Sequence, residues 1–258
     1  MSTPVVEGIL GGLFAGLATG VGALGVYSVS SLSRRANDWL LACSAGVMLA
    51  ASFFSLLSPA IEVARAQTNS SKLTALVVCT AVLSGALALT LAHRWVPHEH
   101  FQTGREGPEA AHVKRIWLFV LAISLHNLPE GMAVGVGFGG GAATDGTALA
   151  IGIGLQNVPE GLAVAASLVS IGYPKSRAFL ISLGTGVIEA LGGAIGAAAA
   201  SWTGAMLPWA LGIAAGAMLF VISGEIIPET HRGDSKGGAT HALLIGFLTM
   251  MAIDVVMH

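Results

Sequence analysis

Charge is what this sequence has least of. Of 258 residues only 10% are charged while 54% are hydrophobic, against roughly 25% charged in an ordinary soluble domain. A soluble all-α core does not go with so few charges; an integral membrane protein does. The formal net charge of -2 leaves no basic stripe to neutralise phosphates, which excludes a nucleic-acid partner. There are two cysteines, Cys43 and Cys79. They stand too far apart for a Cys-x-x-Cys site, and both lie in apolar stretches where a small buried hydrophobe is expected. Gly137 to Gly141 is glycine-rich but has no Lys-Ser or Lys-Thr after it, so it is not a phosphate cradle, and no ATP-binding motif is present. His-Glu-x-x-His is missing as well, which counts against an intramembrane metal-dependent hydrolase. The first segment lacks a basic leader, and its apolar run is longer than the roughly 7 to 15 residues of a signal-peptide core, so it reads as a retained membrane helix.

What is abundant is glycine, 35 residues, most of them inside apolar runs. Small residues let membrane helices approach closely where no hydrophobic force drives them together. About 20 apolar residues cross the hydrocarbon core as a helix, and the chain divides into eight such stretches near 6–29, 39–64, 73–95, 116–139, 147–171, 176–201, 205–228 and 239–257. The expected fold is an all-α integral membrane protein, one transporter domain over 1–258, with a histidine-bearing loop over 93–115. Arg65 and Lys72 fall on one side of this arrangement. Arg34, Arg35, Arg94, Arg105, Lys114, Arg115, Lys175, Arg177, Arg232 and Lys236 fall on the other. The positive-inside rule then puts both termini outside the cytoplasm.

Two internal resemblances stand out. His126-Asn127-Leu128-Pro129-Glu130-Gly131 is echoed by Gln156-Asn157-Val158-Pro159-Glu160-Gly161, and Ala45-Gly46-Val47-Met48-Leu49 by Ala215-Gly216-Ala217-Met218-Leu219. The second pair lies five helices apart, on helices 2 and 7, so its members run in opposite directions. This predicts an inverted repeat of helices 1–3 and 6–8 around helices 4 and 5, an arrangement typical of transporters with a site near the midplane.

A carboxylate at mid-membrane costs roughly 2.5 to 3.5 kcal/mol on insertion scales. Glu130 and Glu160 each follow a helix-breaking proline, where freed backbone is tolerated only if protein, water or an ion satisfies it. His126 and Glu130 stand at i and i+4, as do Gln156 and Glu160; Asn127 and Asn157 lie three residues before their glutamates. Glu189 sits in the middle of helix 6. If these groups converge, one imidazole with carboxylate and amide oxygens makes a set suited to Zn, Fe(II), Mn or Cd and not to Cu(I). Glu225 in helix 7 and Asp254 in helix 8 are candidate pathway residues, while His98 and His100 in the 93–115 loop are candidates for catching a cation leaving the cavity.

On the paired His-Asn-Leu-Pro-Glu-Gly and Gln-Asn-Val-Pro-Glu-Gly strings, and on Glu-Ile-Ile-Pro-Glu-Thr-His-Arg closing helix 7, the chain resembles the ZIP (Zrt/Irt-like) divalent metal transporters, bacterial type. The resemblance implies movement of Zn2+, Cd2+, Fe2+ or Mn2+ into the cytoplasm across the plasma (inner) membrane, with no cofactor beyond the cargo, in a homodimer within the bilayer. It implies one metal site from His126, Glu130, Gln156 and Glu160, and a second from Asn127, Glu130, Asn157, Glu160 and Glu189. Met48, Ser55 and Glu225 would border the pathway, and helices 1, 4, 5 and 6 would move against 2, 3, 7 and 8. Gln156 stands where many members have histidine, and Asn157 where a related type has aspartate, so both charge and imidazole count are lowered. A channel or a proton-coupled exporter of the same ions stays open as an alternative.

Overall fold

The computed structural model describes residues 3–28, 33–95, 110–140, 143–202, 204–230 and 236–257, and every regular element among them is helical. Eight rods follow one another. They are α1 (Thr3–Leu24, ending in a 3-10 turn, Gly25–Tyr27), α2 (Arg34–Ala50, a π turn Ala51–Leu57, then Ser58–Thr68), α3 (Ser71–Trp95) and α4 (Ala110–Gly139). Then come α5 (Ala143–Ser170), α6 (Lys175–Trp202), α7 (Leu207–Val221, a π turn Ile222–Ile226, then Ile227–Thr230) and α8 (Lys236–Met257). Seven of the eight contain a described stretch long and apolar enough to cross a bilayer, and α4, the remaining one, runs for 30 residues.

Local chemistry sets the breaks. Ser33 Oγ accepts a hydrogen bond from the Ala36 N–H at 3.2 Å and caps α2. Asn69 adopts a left-handed conformation (φ 49°) just past Thr68, and Gly172 (φ 89°) turns the chain between α5 and α6. In α2 the Ser58 N–H reaches back to the Phe53 carbonyl, and in α7 the Ile227 N–H reaches back to Ile222. A proline follows each, Pro59 and Pro228, with no N–H to hold the ladder in its α register. Pro129 and Pro159, by contrast, lie inside helices that stay α-helical through them.

The inverted repeat is visible in how the rods pack. α1 lies on α6, α2 on α8, α3 on α7, α4 on α6, α5 on α1, α2 on α5 and α4 on α7. Exchanging α1 with α6, α2 with α7, α3 with α8 and α4 with α5 maps this set onto itself. The correspondence extends to single residues, read from the backbone that a Cβ at each glycine would strike. Gly46 lies on the Leu243 carbonyl, as Gly216 lies on Val82; Gly85 lies on Ile213, as Gly246 lies on Cys43. Gly22 lies on Val158, as Gly192 lies on Leu128; Gly161 lies on Thr19, as Gly131 lies on Glu189; Gly16 and Gly186 meet each other. In these pairs Gly46 corresponds to Gly216, Gly131 to Gly161 and Thr19 to Glu189.

Glycines also sort the rods into two groups. Among the described residues, every close approach of a glycine to another helix's backbone falls within α1, α4, α5 and α6 or within α2, α3, α7 and α8. Across the seam the atoms nearest a glycine belong to side chains, Leu207 beside Gly140 and Met250 beside Gly152. The seam is filled by an apolar core that includes Met48, Leu149, Ile153, Met218 and Met250.

One boundary moves and one expectation is corrected. α3 ends at Trp95, as expected, while α4 starts at Ala110, ahead of the expected 116. Polar residues extend α4 where the chain leaves the apolar layer. Cys79 is exposed on α3, not buried, while Cys43 is half-buried. An apolar run in a membrane helix has a lipid-facing side, and hydrophobicity alone does not say which residues lie on it.

Candidate metal centre

The two Pro-Glu-Gly strings lie side by side on α4 and α5, and α6 brings Glu189 to them. His126, Asn127, Glu130, Gln156, Asn157, Glu160 and Glu189 are all buried, and Glu189 has no exposed surface at all. Glu130 lies within electrostatic range of both Glu160 and Glu189, and Glu160 within range of His126.

Amide side chains stitch the cluster. Gln156 Nε2 donates to Glu130 Oε1 at 2.6 Å, joining α5 to α4. Asn157 Nδ2 donates to Glu189 Oε1 at 2.7 Å and to the Ala15 carbonyl at 2.9 Å, joining α5 to α6 and α1. What these bonds leave over, apart from the Asn127 Nδ2 donor, is acceptor capacity. Asn127 Oδ1, Glu130 Oε2, Gln156 Oε1, Asn157 Oδ1, Glu160 Oε1 and Glu189 Oε2 are buried without a hydrogen-bond partner. An unsatisfied buried polar group costs about 1–3 kcal/mol, more if charged, so six such oxygens on three packed helices favour a positive charge among them. No three His, Cys, Asp or Glu side chains among the described residues are gathered tightly enough to hold an ion by themselves. The amides of Gln156 and Asn157 interleave with the carboxylates of Glu130 and Glu189.

The other sequence candidates fall elsewhere. Met48 is buried in the seam between the two helix groups. Ser55, in the π turn of α2, donates to Asp254 Oδ1 of α8 at 2.7 Å. Glu225 lies in the π turn of α7, at the position the internal repeat matches to Ser55. His98 and His100 lie outside the described residues.

Sequence reasoning missed several buried polar groups beside the cluster. Ser44 of α2 donates to the Gln156 carbonyl at 3.1 Å across the seam, and Ser182 of α6 donates to the Gly161 carbonyl at 2.9 Å. Thr19 of α1 is 1% exposed, and its hydroxyl has no partner. A signal for Thr19 was available: the register that aligns the two Ala-Gly-x-Met-Leu strings also aligns Thr19 with Glu189.

Long apolar helices, an inverted repeat and a core of unsatisfied oxygens define a polytopic helical membrane protein with a candidate cation site at its centre. The family described as ZIP Zinc transporter matches residues 92–254. The chain is 44% identical over 248 residues to the zinc transporter GufA of Myxococcus xanthus, covering 96% of this chain and 98% of that one. It is 44% identical over 246 residues to the zinc transporter ZIPB of Bordetella bronchiseptica, covering 95% and 80%. With the human zinc transporter ZIP11 it shares 35% identity over 97% of each chain. The chain belongs to the ZIP zinc transporter family.

Proposed function

We propose that this protein carries Zn2+, or a related divalent cation such as Cd2+, Fe2+ or Mn2+, across the membrane through the cavity between α4, α5 and α6. The observation that carries the reading is the set of six buried, unpartnered oxygens on three helices. A mixed carboxylate and amide set with one imidazole favours reversible binding of borderline cations over permanent retention. Two ions would share Glu130 and Glu160: one with His126 and Gln156, the other with Asn127, Asn157 and Glu189. Names of the relatives, all zinc transporters, support zinc as the cargo.

The mechanism proposed is an elevator in which α1, α4, α5 and α6 move as a unit against α2, α3, α7 and α8. Its support is the distribution of contacts. Backbones locked through glycine keep each group rigid, while the seam between them is made of side chains, with the adaptable methionines Met48, Met218 and Met250 in it. Ser55 with Asp254 and, at the matching position, Glu225 border the pathway at its two mouths, and His98 and His100 receive the cation beyond it. The lysine and arginine bias supports both termini outside; inward transport across the plasma (inner) membrane is carried from the family likeness. Homodimer formation is carried from the family likeness; α3 and α8 expose the largest share of their apolar surface to lipid or a second copy.

The test is uptake into proteoliposomes holding a zinc-sensitive dye. Wild-type protein gives saturable influx, and Glu130→Ala and Glu160→Ala abolish it. Saturable flux persisting in both variants would remove the cavity from the pathway, and flux that never saturates would favour a channel.

A further inference from the structure

The inverted repeat is imperfect at one buried position that no sequence motif marks. Glu189 on α6 corresponds to Thr19 on α1, as shown by the matched approaches of Gly131 to Glu189 and of Gly161 to Thr19. Asn157 corresponds in the same way to Asn127. On one side of the cavity Asn157 Nδ2 donates to Glu189 Oε1 at 2.7 Å and leaves Asn157 Oδ1 open. On the other side Asn127 and Thr19 are each 1% exposed, and Asn127 Nδ2, Asn127 Oδ1 and Thr19 Oγ1 all lack partners. A threonine side chain is two heavy atoms shorter than glutamate, and the Thr19 hydroxyl lies beside Gly186 of α6 with no hydrogen bond to the Asn127 amide.

We propose that Thr19 is a positioning residue of the cation cavity, orienting the Asn127 amide through one bridging water as the neutral counterpart of the Glu189–Asn157 pair. The water donates to Thr19 Oγ1 and accepts from Asn127 Nδ2, which turns Asn127 Oδ1 toward the cation. A bridging water replaces a direct bond at small entropic cost where the space is polar on both sides. The consequence is a cavity with two similar amides held by unlike groups, one anionic and one neutral, so that the Asn127 contact to the shared cation is the weaker of the two. This inference rests on the cavity assignment made above.

Removal of a group that orients a metal ligand lowers metal affinity by about 10- to 100-fold. Full-length protein in nanodiscs, titrated with Zn2+ by calorimetry, should therefore show that Kd rises about 10- to 100-fold in Thr19→Val and stays within about threefold of wild type in Thr19→Ser. In an Asn127→Ala background, Thr19→Val should add nothing further, because the group it positions is gone. Wild-type affinity in Thr19→Val, equal losses in Thr19→Ser and Thr19→Val, or a full additional loss in the Asn127→Ala background would each overturn the proposal. If Thr19→Val does not fold, Thr19→Ala is read against the same limits. Glu130→Ala separates the two levels of the argument. Zinc affinity lost there but kept in Thr19→Val overturns this inference alone, and affinity kept in Glu130→Ala overturns the cavity assignment with it.

Discussion

Gly131→Ala probes the bond between packing and cation binding more directly than loss of a ligand does. A methyl on Gly131 would stand 2.6 Å from Glu189 Cα and 2.7 Å from its carbonyl carbon, with the carbonyl oxygen nearer still. Ordinary carbon contacts begin near 3.5 Å, so α4 and α6 must separate by about 1 Å. The clash is with backbone on both sides, and no rotamer change relieves it. Overpacking of this kind costs about 1–3 kcal/mol. The same displacement pulls Glu189 away from Asn157, whose bond is 2.7 Å long, and the expected loss in Zn2+ affinity is about 10- to 100-fold. The control is Gly184→Ala on α6, where nothing lies within 4 Å of the added carbon. There the helix gains at most about 1 kcal/mol from alanine's better propensity, and zinc binding is unchanged. Thermal unfolding in detergent and calorimetric zinc titration read both effects. Gly131→Ala melting and binding like wild type, or Gly184→Ala failing as badly, would refute the claim that backbone contact at glycine fixes the cavity.

Other outcomes follow from the same geometry. Asn157→Asp replaces the donor to Glu189 with a second carboxylate. It should destabilise metal-free protein by about 1–3 kcal/mol and enlarge the rise in melting temperature on adding Zn2+; a smaller rise would count against Asn157 as a ligand. Asp254→Asn keeps an acceptor for the Ser55 hydroxyl but removes a charge from the mouth. KM for zinc uptake should increase about 3- to 10-fold with maximal rate and melting temperature unchanged, and a fall in rate alone would place Asp254 outside the capture step. Chelation should lower the melting temperature of protein purified with zinc. A site saturated at 100 times its Kd contributes about 2.7 kcal/mol, and a melt insensitive to chelator would mean that the cavity holds no ion.

Much of this was legible in the sequence because membrane burial makes polar residues expensive. A glutamate in an apolar run has to face a partner, and Glu130, Glu160 and Glu189 are buried within electrostatic range of one another. The inverted repeat was legible from four matched residues in a five-residue string because residues at close helix contacts tolerate little change. The π turns were not. Pro59 and Pro228 announce a disturbed ladder, but the choice between a kink and a widened turn depends on what packs against it. The interleaving of Gln156 and Asn157 among the carboxylates was equally invisible, because an amide can donate or accept and the sequence does not say which. Thr19 went unnoticed because a threonine in a membrane helix normally bonds its own backbone, and only its place opposite Glu189 makes it unusual.

The imperfect two-fold has an energetic meaning. Were the halves identical in sequence, the conformation open to one side of the membrane and that open to the other would be interchangeable by rotation, and equal in free energy. Only exchanged positions carrying different side chains can tilt that balance. Thr19 against Glu189, Ser55 against Glu225 and His126 against Gln156 are such positions, and most of the glycines that hold the rods together are not. In the proposed carrier the resting preference is set by such mismatches, and substitutions that make a buried pair alike should drive the two populations toward parity.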